Sequence, residues 1–220
     1  LNPHSGDERS INEAGERYLR WYYDTAVRKH LHYRGIRTLK NPADMWNYQE
    51  IIVSRGIQWV VETGTRHGGS ALFFADLLAA SGAEGFVVSI DVTAQDNWVR
   101  SHPRIRFVIG DSAAPEVVRE VAAMLSGRRA PLFMILDSDH RKAHVLRELE
   151  AWVPTLQPGD YLVVEDTCIN GHPVRPDFGP GPYEAVEAFL AAQPNLLVHD
   201  RAREAKFGHT FAPRGYFVRA

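Results

Sequence analysis

From residue 58 onward the chain alternates two hydrophobic rhythms. QWVVET (58–63), GFVVSID (85–91), IRFVIGD (105–111), PLFMILD (131–137) and DYLVVED (160–166) are short β-branched runs with the length of buried strands. Between them SALFFADLLAASG (70–82), APEVVREVAAMLSG (114–127) and RKAHVLRELEAWV (141–153) space their apolar residues at helical intervals. Alternation of this kind predicts an α/β fold with right-handed crossovers and a mostly parallel sheet. TCINGHPVRPDFGPGP (167–182) is a long irregular loop rich in Pro and Gly, YEAVEAFLAAQP (183–194) a helix, and NLLVHD with RGYFVRA (214–220) an antiparallel closing pair.

Before residue 58 the pattern changes. INEAGERYLRWYYDTAVRKH (11–30) predicts a helix with an aromatic stripe. NPADMWNYQEIIVSRG (41–56) predicts a second, with Asn41 as cap and Pro42 in the first turn. We therefore expect residues 1–57 to form a helical lid and residues 58–220 the main unit, within one structural domain.

Composition narrows the possibilities. A chain of 220 residues, 45% of them hydrophobic, holds one substantial core. A net charge of −2 argues against nucleic acid or an anionic membrane as partner. No apolar run is long enough for a membrane span, and LNPHSGDERS has no signal-peptide core. The single cysteine, Cys168, fits a reducing compartment, so a cytoplasmic location is expected.

The candidate chemistry lies at the strand ends. Glu62, Asp91, Asp111, Asp137 and the pair Glu165–Asp166 close successive strand runs, where ligands bind in parallel sheets. Helix capping explains any one of these acids but not the whole set. The turn ETGTRHGGS (62–70) is neither the G-x-G-x-x-G dinucleotide fingerprint nor a Walker loop. An acid beside a glycine turn suits a ligand with a cationic group. Asp91 is placed for a ribose diol, and Asp111 with Ser112 for an adenine amino group. Together these features predict an S-adenosylmethionine pocket, formed by Glu62, Gly64, Thr65, Gly68, Ser70, Asp91, Asp111, Ser112 and Asp137.

Asp137, Glu165 and Asp166 would repel one another strongly unless they are protonated or a cation neutralises them. Oxygen ligation of this kind favours Mg²⁺. His140 follows Asp137 closely enough to act as general base on an acceptor hydroxyl; Asp139, a carboxylate among carboxylates, is the poorer alternative. Trp46 and Tyr48 are candidates to stack on a sugar face, with a core role as the competing reading. His144, one helical turn beyond His140, and Arg175, in the long loop, are further candidates for acceptor contact.

The ordered set ETGTRHGGS, LDSDH, VVEDT and KFGHTFAPRGYFVR resembles the cephalosporin hydroxylase/rhamnosyl O-methyltransferase family, over roughly residues 20–220. The resemblance implies a Rossmann-like class I methyltransferase fold with a seven-stranded sheet. It also implies Mg²⁺- and S-adenosylmethionine-dependent O-methylation of a saccharide or glycosylated small molecule, with a rhamnosyl- or mannosyl-type acceptor. On that basis Asp137, Glu165 and Asp166 are the metal ligands and His140 the base. Two other functions compete: a metal-dependent hydrolase or phosphoryl-transfer enzyme using the same acids, and a non-catalytic cofactor-binding accessory protein. The aromatic N-terminal helix is expected to form a homodimer surface.

Overall fold

The computed structural model describes residues 8–220; the polar opening LNPHSGD lies outside them. Seven strands form one sheet: β3 (Trp59–Thr63), β4 (Val87–Asp91), β5 (Ile105–Ile109), β6 (Leu132–Leu136), β7 (Tyr161–Val164), β8 (Leu197–His199) and β9 (Tyr216–Arg219). Their spatial order is β5-β4-β3-β6-β7-β9-β8, parallel throughout except for β9, which runs antiparallel to both neighbours. The chain moves outward from β3 through β4 to β5, then returns to the other side of β3 as β6. That reversal opens a crevice at the carboxyl ends of β3 and β6. The expected α/β class, strand set and closing antiparallel pair are all present.

Period-2 alternation explains why both faces of the sheet are covered. On one face Val61, Val88, Met134 and Leu162 pack with Leu149, Trp152 and Phe189. These last three belong to α5 (Lys142–Trp152) and α6 (Pro182–Ala192); α4 (Pro115–Met124) contributes Val117 and Val121 to the same cluster. On the other face Val60, Val87, Phe133 and Val163 pack with Tyr48, Ile51, Phe74 and Leu78. Those side chains come from α2 (Pro42–Ser54) and α3 (Gly69–Ala80).

Residues 42–54, expected within the lid, are thus part of the core. Ile51 and Ile52 are fully buried, worth about 1.5–3 kcal/mol each. Asn41 caps α2 by accepting from the Ala43 N–H, as the sequence predicts. The buried Asp44 ties the helix to the C-terminal segment. It accepts from the Thr210 hydroxyl, the Phe211 N–H at 2.7 Å and the Tyr216 hydroxyl at 2.7 Å.

What covers the sheet's carboxyl end is the rest of the N-terminal segment. α1 (Glu8–Asp24) packs Leu19, Tyr22 and Tyr23 against Cys168, Ile169, Val174 and Phe211. A small hairpin, β1 (His32–Tyr33) with β2 (Ile36–Arg37), is pinned to α3 by the Tyr33 hydroxyl and Arg34, which both meet Asp76. From this hairpin a strap, residues 37–40, crosses the glycine turn. A Cβ on Gly69 would lie 2.0 Å from Thr38 Oγ1, so only glycine allows the strap to pass so close. The short α7 (Arg201–Ala205) completes the fold, with Asp200 as its cap.

Candidate functional site

One cavity of about 770 Å³ lies at the crevice, lined by the glycine turn, the strap, the tips of β4 to β7 and the N-terminal segment. Three of the seven non-glycine residues with positive φ among the described residues line it: Arg66, Asp166 and Arg175. Strained backbone of this kind concentrates where side chains must be aimed.

At the glycine-turn end, Gly64 has φ +87° and its missing Cβ would stand 2.0 Å from the Asp137 carbonyl oxygen. The turn therefore abuts the tip of β6, and any side chain there would force them apart. Glu62 lies fully buried just before this turn. Its Oε1 accepts from Ser89 Oγ at 2.7 Å, and Ser89 also meets Thr65 Oγ1 at 2.7 Å. Glu62 Oε2 is buried without a hydrogen-bond partner among the described residues. Burial pushes the carboxyl up to about 7, against the pull of Lys40, Ser89 and Ser70. An orphaned, buried carboxylate oxygen next to a glycine turn fits a ligand bearing a cation.

Gly64, Thr65, Ser70, Asp91, Asp111, Ser112 and Asp137 line the cavity; Gly68 instead caps α3. Asp91 accepts from the Arg66 N–H at 2.9 Å. Asp111 accepts from the Ala113 N–H, which together with Arg147 holds its carboxyl below the usual range. Ser112 donates to Glu148 Oε1 at 2.6 Å and lies 3.2 Å from His144 Nε2. The neighbouring Glu148 carboxylate raises the His144 imidazole. His144, expected as an acceptor contact, thus stands beside Ser112 at the tip of β5.

At the other end the acids converge. Atoms of Asp137, His140 and Asp166 all lie within 4.8 Å of one another, close enough to share one ion. His140 Nε2 is 3.2 Å from Asp166 Oδ2. Asp166 takes φ +54°, a conformation that aspartate tolerates better than most residues. Glu165 differs from its two expected co-ligands. Its Oε1 accepts from Lys40 Nζ at 2.8 Å and from the Tyr48 hydroxyl at 2.9 Å. Lys40 Nζ also donates to Asp137 Oδ2 at 2.5 Å. Burial alone would lower the Lys40 ammonium, but Asp137, Glu165 and Glu62 outweigh it and hold it above the ordinary lysine range. Burial lifts the Glu165 and Asp166 carboxyls, with Lys40 and His140 pulling the other way.

Two acceptor candidates are displaced. Tyr48 is 0% exposed, so its ring stacks on no ligand and its hydroxyl serves Glu165. Trp46 is 61% exposed and lines a separate apolar pocket with Met45, Tyr33 and Phe73. The aromatic stripe of α2 therefore divides between core and surface. Arg175 does line the cavity, with its guanidinium over Phe178. Nothing in the sequence singles out Lys40, Arg28, Leu39 or Phe211, and Tyr23 is marked there only as part of the aromatic stripe of the N-terminal helix; all five line the cavity. These residues reach the site through the strap, α1 and the C-terminal segment, and no local spacing marks them.

The comparisons with known proteins agree with this architecture. The family model described as rhamnosyl O-methyltransferase/CmcI matches residues 25–220. A rhamnosyl O-methyltransferase of Mycobacterium bovis (strain BCG / Pasteur 1173P2) is 44% identical over 213 residues, 96% of this chain and 87% of that one. One from Mycobacterium leprae (strain TN) is 43% identical over 212 residues, 96% and 93% of the two chains. Among solved structures, a CmcI with Mg and SAM superposes with a TM-score of 0.67 at 23% identity, covering 87% of this chain and 77% of that one. That likeness concerns the fold. No helix among the described residues is long and apolar enough to cross a membrane. With a family model spanning all but the first 24 residues, and relatives above 40% identity across both chains, the chain belongs to the rhamnosyl O-methyltransferase/CmcI family.

Proposed function

We propose that the protein is a Mg²⁺- and S-adenosylmethionine-dependent O-methyltransferase. Its acceptor is a hydroxyl of a saccharide or glycosylated small molecule, with a rhamnosyl-type sugar favoured by the names of its relatives. The observation that carries this reading is the Asp137–His140–Asp166 cluster on the cavity wall, together with the orphaned Glu62 carboxylate buried behind the glycine turn that lines the same cavity. A hydrolase or phosphoryl-transfer enzyme would have use for the cluster but none for Glu62.

Glu62 binds the ammonium end of the cofactor, Asp91 orients the ribose diol, and Ser112 with His144 lines the adenine end. Asp137 and Asp166, with the second oxygen of Glu165, would hold Mg²⁺, which when bound supplies Lewis acidity at the acceptor hydroxyl. His140 takes the acceptor proton, and Asp166, 3.2 Å from Nε2, stabilises the charge the ring then carries. Asp139 is unsuited to that task. Arg141 holds it on the surface, with its carboxyl lowered to about 2. Tyr23, Arg28 and Arg175 form the acceptor entrance, and the cover above the site helps keep water from the reacting groups.

A cytoplasmic location fits the buried free thiol of Cys168. The outer face of α1, with the exposed Tyr18 and Trp21, is the candidate homodimer surface.

Calorimetric titration of S-adenosylmethionine, with Mg²⁺ and with EDTA, tests the cofactor assignment. Micromolar binding in both conditions is the expected result. No binding in either returns the acid cluster to the hydrolase reading.

A further inference from the structure

Lys40 has no part in the chemistry outlined above, yet its ammonium sits inside the acid cluster. Its side chain is 4% exposed and its Nζ bridges the tips of two adjacent strands, Asp137 after β6 and Glu165 after β7. The side chain is presented by rigid backbone. Thr38 N donates to the Leu31 carbonyl on one side, and the Asn41 cap with Pro42 fixes the chain on the other. The Tyr48 hydroxyl fixes Glu165 from below.

Two consequences follow from charge and position. First, three carboxylates with no cation among them would spread apart, whereas with Lys40 in place the β6 and β7 tips are joined before any ion arrives. Second, when all three carboxylates are ionised, as ligation of a cation requires, they and the Lys40 ammonium carry a net −2, the complement of one divalent ion. Without Lys40 the same residues would carry −3.

We infer that Lys40 is a positioning residue whose ammonium holds Asp137 and Glu165 together and matches the charge of the acid cluster to a single divalent cation. This rests on the metal assignment made under Proposed function.

The test uses Mn²⁺ as probe, with the full chain and no S-adenosylmethionine, counting free ion by electron paramagnetic resonance. Thermal melts in EDTA and in Mg²⁺ accompany it. Wild type is expected to bind one Mn²⁺ per chain. Lys40→Met is expected to bind it about tenfold tighter or more, because an uncompensated carboxylate charge is left beside the ion. The same variant should melt several degrees lower in EDTA and recover in Mg²⁺. Lys40→Arg, which keeps the charge, should stay within about threefold of wild type. Should Lys40→Met not fold, Lys40→Gln carries the same expectations.

Unchanged or weaker Mn²⁺ binding by the neutral variants, with a melting loss equal in EDTA and Mg²⁺, would make Lys40 a structural prop and overturn the inference alone. A wild type that binds no Mn²⁺ at millimolar concentration would overturn the metal assignment, and this inference with it.

Discussion

Behind the glycine turn at one end of the cavity, Glu62 is buried with a neutral donor, the Ser89 hydroxyl at 2.7 Å, and one of its oxygens has no partner among the described residues. At the β6–β7 end, Asp137 and Glu165 are closed on the Lys40 ammonium at 2.5 and 2.8 Å. The first acid has no charged group in hydrogen-bond contact, and burial pushes its carboxyl up to about 7 against the more distant pull of Lys40; the others are closed directly on that counter-charge. The difference teaches how one crevice can receive two kinds of charge. Where the ligand brings its own cation, the protein leaves a carboxylate unpaired. Where several carboxylates must stay together, the protein supplies part of the neutralisation itself.

The largest expected effect falls at the β6–β7 end. His140→Ala should lower turnover by about a hundred- to ten-thousand-fold, the range of a lost general base, with S-adenosylmethionine affinity unchanged by calorimetry. Unaltered turnover would remove His140 from the chemistry.

Glu62→Gln tests the other end, and should weaken S-adenosylmethionine binding by about ten- to a hundredfold, as for a lost hydrogen bond between charged groups. The pH dependence sharpens the point. A buried carboxyl with its folded pKa raised to about 7 must lose its proton to receive an ammonium. Wild-type affinity should therefore rise about fivefold from pH 6 to 7, about twofold more by pH 8, and level off above that, while the Gln variant stays flat. Stability of the ligand-free protein runs the opposite way. The raised pKa contributes stability that is fully present below the ordinary carboxylate range and is lost as pH rises through about 7. Melts that rise with pH across this window would contradict that assignment.

Tyr48→Phe keeps the buried ring and removes only the hydroxyl that Glu165 accepts at 2.9 Å. A stability loss of about 1–2 kcal/mol in chemical denaturation is expected, since a buried acceptor loses one of its donors. The smallest effects belong to Asp139→Asn and Trp46→Ala. Asp139 lies on the cavity rim but its carboxylate is taken up by Arg141, and Trp46 lies outside the cavity. Turnover and acceptor KM should each change by less than about threefold, since Asp139 is already engaged by Arg141 and Trp46 touches nothing in the site. A loss of turnover in Asp139→Asn comparable with that in His140→Ala would shift the base to Asp139.

The same comparison explains what was legible in the sequence. The strands, their alternation with helices and the acids at their tips are local patterns, and the sheet places them together because parallel strands end on one side. Glu62, Asp91, Asp137 and Asp166 were legible for that reason, as was the Asn41 cap. Lys40 and Tyr48 were not. Lys40 is 97 residues from Asp137, and Tyr48 is 117 from Glu165. A lone lysine before a helix cap looks like any solvated lysine until the strap folds over the glycine turn. The division of the α2 aromatics had the same cause: helical spacing shows that Trp46 and Tyr48 point in different directions, but not which direction meets the sheet. The boundary at residue 57 followed composition, whereas α2 belongs to the core through Ile51, Ile52 and the long-range tie of Asp44 to Tyr216.

The central claim is tested most directly by incubating the purified protein with S-adenosylmethionine and a rhamnoside acceptor, in Mg²⁺ and in EDTA, and following the acceptor by mass spectrometry. Transfer of one methyl group to the sugar in Mg²⁺, abolished by EDTA and by His140→Ala, is the predicted result. Methylation that persists undiminished in EDTA and in His140→Ala would contradict the roles given to the acid cluster and its histidine.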